Sequence, residues 1–337
     1  MAEIAVLNAG GWGTALACML ANRGHAVTLW ARRPELATTL RTARVNAAYL
    51  PGVVLPPSVE PTADLAHAVS GRRILIVAAT SRGLRDLAQQ LASLVAHDAL
   101  ILIGTKGLEP ETWLRPTQVF AAVLGPEFAS QLAVLSGPTH AEEVARGQPT
   151  AAVLACANAS AARRLQELLS TPTLRLYTSA DVVGVELCAA AKNVVALAAG
   201  IGDGLGYGDN SKAALITRSL AELGRLVTAY GGQLTTVAGL AGIGDLIATC
   251  TSRHSRNRWA GEQLGRGQAL SAILCSTPMV VEGVPAARGV VALARAAGVE
   301  MPICEAVHRV LYEGQAPAAA LAELLQRPLT AELPHPA

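Results

Sequence analysis

The sequence predicts an α/β fold with a doubly wound, mostly parallel sheet, followed by an all-helical domain. Over the first 180 residues, short apolar runs alternate with amphipathic stretches, which is typical of strands that alternate with helices. The apolar runs are continuous, as expected for strands buried on both faces. After Asp181 the strand-like runs stop. We therefore predict two domains, over residues 1–180 and 181–330.

Each short apolar run is interpreted as a strand, and each amphipathic stretch as a helix. The predicted strands are Glu3–Leu7, Ala26–Trp30, Ile74–Ala78, Leu100–Ile103, Ala133–Leu135, Ala151–Ala155 and Leu174–Thr178. The predicted helices of the second half are Val182–Ala199, Lys212–Tyr230, Gly244–Ala248, Arg256–Leu264, Val284–Ala297 and Cys304–Tyr312. Between the first two of these helices, five glycines at alternate positions from Gly200 to Gly208 predict a flexible or tightly turned loop.

Composition excludes several classes of function. With 51% hydrophobic and 15% charged residues the chain is globular, and a net charge of +2 with 3% aromatic residues argues against nucleic-acid partners. The six cysteines show no CxxC or zinc spacing, so we expect reduced thiols in a cytoplasmic protein without a metal site. The longest apolar stretch, 182–201, contains Glu186 and Lys192, which favours a buried helix over a membrane span.

A glycine-rich turn follows the first strand. Gly10, Gly11, Trp12 and Gly13 lie between this strand and an Ala- and Leu-rich helix. This arrangement is typical of the Rossmann-type dinucleotide-binding unit, in which a helix N-terminus faces a pyrophosphate. Asn8 stands where the usual fingerprint has its first glycine, and asparagine tolerates the left-handed backbone that the turn requires.

The end of the second strand indicates which dinucleotide binds. An NAD site usually has an acidic residue there, whereas this chain has Arg32 and Arg33, and Glu35 lies beyond a proline. Two arginines can hold a 2′-phosphate. We therefore expect NADP or NAD, with NADP favoured; the alternative is that both arginines are simply solvated.

Only three of the 27 basic residues are lysines: Lys106, Lys192 and Lys212. Arginine does not release its proton in proteins, so a retained lysine is a candidate for proton transfer. Lys106 follows a strand, at the sheet edge where ligands bind. Lys192 lies within an apolar helix, where it needs a distant partner or a depressed pKa, unless its ammonium group reaches the surface.

Three further segments could face the same edge of the sheet. Ser136–Thr139 follows a predicted strand and could supply backbone N–H groups and a hydroxyl. Asp245 either has an N-cap or first-turn role at a helix N-terminus or directs its carboxylate at a lysine. Ser252–Arg258, rich in arginine and serine, is either a phosphate site at a helix start or a solvated basic loop.

These segments together resemble the bacterial NAD(P)-dependent glycerol-3-phosphate dehydrogenases, a Rossmann domain followed by an all-α domain. The matching motifs occur in order along the chain. They are Gly10–Ala15, Asn46–Pro51, Thr105–Glu109, Ser136–Thr139, Lys192–Asn193, Ala214–Arg218, Ala241–Leu246, Ser255–Arg258 and Val280–Gly283.

The resemblance implies reversible hydride transfer between NAD(P)H and dihydroxyacetone phosphate, giving sn-glycerol 3-phosphate for glycerophospholipid synthesis. Lys192 would exchange the proton of the C2 oxygen, Lys106 would contact cofactor and substrate, and Asp245 would support Lys192. With the glycine turn and the two arginines, the expected cofactor contacts are Gly10, Gly11, Trp12, Gly13, Arg32, Arg33, Tyr49, Lys106, Ala141, Arg256, Val280 and Glu282. The expected substrate contacts are Lys106, Gly137, Thr139, Lys192, Asp245, Ser255, Arg256 and Asn257.

Two other functions remain open at this point. A β-hydroxyacid or 6-phosphogluconate-type dehydrogenase also combines a Rossmann domain, a helical domain and a catalytic lysine. A non-catalytic NADP-binding redox sensor would bind the nucleotide without turnover. The apolar surface of the helical half is compatible with a homodimer, and Lys212 is expected near the site without a proton to transfer.

Overall fold

The computed structural model describes residues 1–277, 279–329 and 331–332. Its strands form one eight-stranded sheet and one short hairpin. The strands are β1 (Glu3–Leu7), β2 (Ala26–Trp30), β3 (Val45–Asn46), β4 (Leu50–Val54), β5 (Val59–Thr62), β6 (Ile74–Val77), β7 (Leu100–Ile103), β8 (Leu132–Ser136), β9 (Thr150–Cys156) and β10 (Leu174–Ser179).

The large sheet has the strand order β10-β9-β8-β7-β6-β1-β2-β5. All neighbours are parallel except β8 and β9, which pair antiparallel. The predicted doubly wound fold is confirmed, as are the seven predicted strands to within two residues at each end. The sequence did not predict β5, because Glu60 and Pro61 interrupt its apolar pattern, and proline is confined to edge strands such as this one.

Helices cover both faces of the sheet and make up the second half. They are α1 (Gly11–Asn22), α2 (Pro34–Ala43), α3 (Leu65–Val69), α4 (Leu84–Leu91), α5 (Pro116–Leu124), α6 (Ala141–Ala145), α7 (Ala159–Leu169), α8 (Val182–Gly204), α9 (Asp209–Ala229), α10 (Leu234–Val237), α11 (Asp245–Thr251), α12 (Arg256–Gly265), α13 (Leu270–Cys275), α14 (Gly283–Ala296), α15 (Pro302–Tyr312) and α16 (Pro317–Leu325). A π-helix, Leu240–Gly244, runs directly into α11.

The predicted glycine loop after residue 199 is wrong over its first half. Helix α8 continues to Gly204, so Gly200, Gly202 and Gly204 are helical. Glycine disfavours helix interiors by about 1 kcal/mol, and sequence alone therefore favours a loop. The extra turn is stabilised by tertiary packing, since Gly200 and Gly204 lie directly against the backbone of α12.

Two helical segments are long and apolar enough, by composition, to cross a membrane: Val182–Gly204 and Leu234–Thr251. Of the apolar window in the first, 83% is buried, as predicted for the core helix of the second half. The second is made of α10, the π-helix and α11, and its window is 39% buried.

A buried ion pair joins the two halves of the chain. Arg115 precedes α5 and donates to the Glu186 carboxylate of α8 at 2.5 Å. Thr117 adds bonds from its backbone N–H at 2.7 Å and its hydroxyl at 2.8 Å. Burial raises the pKa of Glu186, and Arg115 acts against that shift. The Glu186 carboxylate therefore depends on Arg115 and Thr117 to stay ionised in its buried position.

We expect Arg115→Met to lower the free energy of unfolding by about 3 kcal/mol, because it leaves a buried carboxylate without its counter-charge. Urea unfolding monitored by circular dichroism measures the change. Arg73→Met is the matched control: it removes an exposed ion pair with Asp98, whose side chains are 52% and 70% exposed, and should cost about 0.5 kcal/mol or less. Equal losses in the two variants would contradict the assigned importance of the buried pair.

Candidate active site

The glycine turn has the geometry that the sequence predicts. Asn8 has a φ of +86°, in the region that asparagine tolerates better than other residues with a Cβ. Its backbone N–H donates to Trp30 O at 3.0 Å, and its side-chain amide donates to Ala78 O at 3.2 Å. Asn8 therefore completes the turn and ties it to the ends of β2 and β6.

The turn leaves room for a dinucleotide. A Cβ on Gly13 would lie 2.1 Å from Asn8 O, so helix and turn pack without space for a side chain. At Gly10 the nearest atom to an added Cβ is 3.8 Å away, which leaves the backbone open in front of the α1 N-terminus. Its unpaired N–H groups and positive dipole suit a pyrophosphate. NAD or NADP therefore fits the residues present.

Two of the expected cofactor contacts, Arg33 and Tyr49, touch each other. Arg33 donates to the Tyr49 hydroxyl at 3.0 Å, and its guanidinium lies 5.9 Å from the centre of that ring. Arg32 beside it is exposed. Ala141 begins α6 next to the turn, 3.9 Å from the position of a Cβ on Gly11. Arg33 is thus already paired, whereas Arg32 is available to a phosphate.

The opposite wall of the cleft comes from the second half of the chain. Glu282 is partly buried and accepts bonds from the Ser81 N–H at 3.2 Å and the Ser81 hydroxyl at 2.7 Å. Burial raises the pKa of this carboxyl. Arg256 donates to Val280 O at 3.0 Å. Within the described part of the chain, the buried Trp12 Nε1 has no hydrogen-bond partner.

Asp245 lies between the two candidate lysines. Its Oδ2 accepts from Lys106 Nζ at 2.9 Å, and its Oδ1 accepts from Lys192 Nζ. The side chains of Asp245 and Lys192 are 3% and 6% exposed. Asp245 begins α11 and makes no capping bond, so the cap interpretation is wrong. The residue instead pairs with the lysines, and the alternative of a solvated Lys192 ammonium is also wrong.

The shared carboxylate sets the charge state of the site. Burial lowers the pKa of Lys192 to about 7; Asp245 acts against this shift and Lys106 adds to it. Burial alone would raise the pKa of Asp245, but the two ammonium groups outweigh it and hold that pKa below its usual value. Lys192 can therefore gain or lose a proton near neutral pH while Asp245 stays ionised.

Lys106 is fixed by the edge of the sheet. Its ammonium group donates to Gly137 O at 2.8 Å and to Thr139 Oγ1 at 3.0 Å. Gly137 has a φ of +132°, and a Cβ there would lie 3.0 Å from the backbone of Ala152. The end of β8 can thus turn its carbonyl toward Lys106 only with glycine at this position.

The start of α12 lies beside this cluster. Ser255 caps the helix by accepting from Arg258 N at 3.2 Å. The Asn257 amide donates to Asn193 Oδ1 at 2.8 Å, and its oxygen accepts from Gly283 N at 2.9 Å. The Asn257 side chain therefore joins α8, α12 and α14. Its backbone N–H group lies in the first turn of α12, where helix N–H groups can bind an anion.

Sequence reasoning missed two partners in the site and expected one residue, Lys212, that pairs elsewhere. Thr249 accepts from Lys192 Nζ at 3.0 Å; its place four residues after Asp245, on the same helix face, was a usable signal. Ser81 contacts Glu282, and no local pattern marked it. Lys212 was expected near the site, yet it pairs with Asp203 at 2.7 Å, far along α8 from Lys192. Among the described residues, no cluster of His, Cys, Asp and Glu could hold a metal.

Two family models match this chain. Residues 3–162 match the NAD-dependent glycerol-3-phosphate dehydrogenase N-terminus, and residues 181–322 match the C-terminus of the same family. The glycerol-3-phosphate dehydrogenase [NAD(P)+] of Moorella thermoacetica is 49% identical over 98% of both chains. That of Salinibacter ruber is 49% identical over 96% of this chain and 94% of its own.

A solved structure agrees with these matches. The crystal structure of glycerol-3-phosphate dehydrogenase from Coxiella burnetii superposes with a TM-score of 0.92 at 39% identity, over 97% of this chain and 99% of that one. Fold and sequence therefore point to the same group of proteins over nearly the whole chain. The chain belongs to the NAD-dependent glycerol-3-phosphate dehydrogenase family, as its motifs predict.

Proposed function

We propose that this chain interconverts dihydroxyacetone phosphate and sn-glycerol 3-phosphate with NADPH or NADH, and that Lys192 transfers the proton. The observation that carries the proposal is the pair of lysines on the one buried carboxylate of Asp245. This cluster lies at the sheet edge, beside a glycine turn suited to a dinucleotide. Family membership supports the same reaction.

The substrate would bind with its two ends in different parts of the site. The N-terminus of α12 suits the phosphate. The backbone N–H groups of Arg256 and Asn257 and the Arg256 side chain would bind it, with Ser255 alongside. Its C2 oxygen is suited to the ammonium groups of Lys106 and Lys192. With Lys192 protonated, two lysines and one aspartate give this cluster a net positive charge, which favours a phosphorylated substrate.

When bound, the dinucleotide would supply or accept the hydride at C2. Lys192 gives the C2 oxygen its proton during reduction and takes it back during oxidation. Lys106 donates a hydrogen bond that stabilises the negative charge developing on that oxygen. Asp245 holds both ammonium groups in place and keeps the pKa of Lys192 from falling further.

Lys192→Arg keeps the positive charge but removes the exchangeable proton. We expect kcat for dihydroxyacetone phosphate reduction to fall about 10²–10⁴-fold, the usual contribution of a positioned acid or base. NADPH oxidation followed at 340 nm measures the rate. Lys212→Arg is the control and should stay near wild type, because arginine can keep the pair with Asp203. A Lys192→Arg enzyme with wild-type kcat would refute the assignment. If the unmodified protein bound NADPH but showed no turnover, the redox sensor would be favoured.

The pKa of Lys192 near 7 predicts opposite pH profiles for the two directions. Reduction needs the ammonium form, so kcat/KM for dihydroxyacetone phosphate should be highest below about pH 7 and fall as pH rises through it. Oxidation needs the neutral amine and should increase over the same range. Asp245→Asn removes the charge that raises this pKa, so its midpoint should shift to lower pH. A midpoint near the ordinary lysine value of 10.5 would contradict the proposal.

We propose that Arg32 gives the site its preference for NADPH. Arg32→Ala should raise KM for NADPH about 10- to 100-fold, as expected for losing a charge-assisted bond worth about 1.5–3 kcal/mol. KM for NADH should change little. Arg41→Ala, an exposed arginine of α2, is the control for general loss of positive charge. A clear NADH preference that Arg32→Ala leaves unchanged would sink the idea.

Several broader features are proposed on the same basis. The division into a dinucleotide-binding domain, 1–180, and a substrate domain, 181–330, agrees with the passage from β10 to α8 between Ser179 and Val182; residue 330 itself lies outside the described residues. Exposed Leu234 and Ile247, 64% and 44% accessible, support a homodimer through the helical half. The reaction supplies a glycerophospholipid precursor, and the composition supports a cytoplasmic location.

A further inference from the structure

Two helices carry the two ends of the proposed site. Helix α8 holds Lys192, the proton donor, and α12 begins with Arg256 and Asn257 at the proposed phosphate anchor. The distance between proton donor and anchor therefore depends on how closely these helices pack. Ordinary helix pairs lie about 8–10 Å apart, depending on the side chains between them.

Glycine occupies four central positions where α8 and α12 meet. These glycines, two on each helix and four residues apart, form the glycine seam: Gly200, Gly204, Gly261 and Gly265. A Cβ on Gly261 would lie 2.1 Å from Leu197 O, and one on Gly265 would lie 2.4 Å from Ile201 O. The two backbones are thus in direct contact.

The contact is reciprocal. A Cβ on Gly200 would lie 1.9 Å from Arg258 O, and one on Gly204 would lie 2.3 Å from Glu262 O. Ordinary contact begins at 3.4 Å, so any side chain in the seam would force the helices apart by about 1 Å or more. In contrast, a Cβ on Gly202, on another face of the same helix turn, would meet nothing within 4 Å.

Polar contacts tie the first turn of α12 to α8. The Asn257 amide donates to Asn193 at 2.8 Å. Arg258, the next residue of α12, pairs with Asp203 of α8 at 2.6 Å, and Asp203 also pairs with Lys212 of α9 at 2.7 Å. The Asp203 side chain is 12% exposed, so this pair is partly shielded from solvent. The start of α12 is therefore held to α8 at two points, and the glycine seam sets the helix spacing beyond them.

We propose that the glycine seam positions the phosphate anchor of α12 relative to Lys192, and so determines how efficiently a phosphorylated substrate is used. This inference rests on the proposed function. The four glycines are positioning residues: they touch neither substrate nor cofactor. Wider spacing would leave the phosphate bound with C2 displaced from the ammonium groups, and displacement by about 1 Å can cost about 10²-fold in rate.

The test compares Gly261→Ala with Gly202→Ala, using dihydroxyacetone phosphate and the truncated substrate dihydroxyacetone. Gly261→Ala should lower kcat/KM for dihydroxyacetone phosphate about 10²-fold while changing that for dihydroxyacetone less than about twofold, because a substrate without phosphate does not use the anchor. Gly202→Ala adds the same methyl group to open space and should leave both values near wild type. Rates are measured well below the melting temperature of each variant.

A second variant keeps the proposal testable if Gly261→Ala does not fold. Asp203→Asn weakens the pair that holds Arg258, in the first turn of α12, to α8 without adding an atom to the seam, and should shift the ratio of the two kcat/KM values in the same direction by a smaller factor. Lys212→Arg, which keeps the pair with Asp203, should not shift it.

Equal losses with both substrates in Gly261→Ala would overturn the inference and leave the seam a purely structural role. An unchanged ratio in a folded variant would do the same. These outcomes differ from failure of the proposed function, in which the wild-type enzyme itself would not reduce dihydroxyacetone phosphate with NADPH.

Discussion

The carboxylate of Asp245 is the interaction on which the candidate site depends. It accepts hydrogen bonds from Lys106, which follows β7, and from Lys192, within α8. The buried ammonium group of Lys192 and the partly buried one of Lys106 would repel one another and lose hydration, and a single shared carboxylate offsets both effects. Without it, Lys192 would be more fully deprotonated at neutral pH. The same contact also brings the sheet edge and the helical half together.

The topology of the fold determines where Asp245 meets the two lysines. The parallel strands β6, β7 and β1 end at one edge of the sheet, so the glycine turn and Lys106 open on the same side. The helical half contributes the groups that a sheet edge alone does not provide: a buried amine, its carboxylate and a helix N-terminus. Glu282 and Ser81 bridge the two halves beside the cleft, so the groups for both proposed ligands are held by both halves of the chain.

Prediction from sequence succeeded where the signal was local. Continuous apolar runs marked β1, β2 and β7 to the residue, and the glycine pattern marked the tight turn after β1, including the left-handed Asn8. It failed where distant packing decides the outcome. The glycines after Leu197 favoured a loop because glycine is a poor helix former, yet the backbone of α12 fits only against glycine there. Likewise, the role of Thr249 depends on where α8 lies.

By itself the sequence determined which groups are present: three lysines in a chain otherwise restricted to arginine, a turn shaped for a dinucleotide, and a family-specific order of motifs. The tertiary structure decided which of these groups meet. It placed Lys192 on Asp245, 53 residues away along the chain, and paired Lys212 with Asp203 instead. A sequence pattern records the chemistry of each residue, but a pKa depends on burial and on neighbouring charges, and both arise only when distant segments pack.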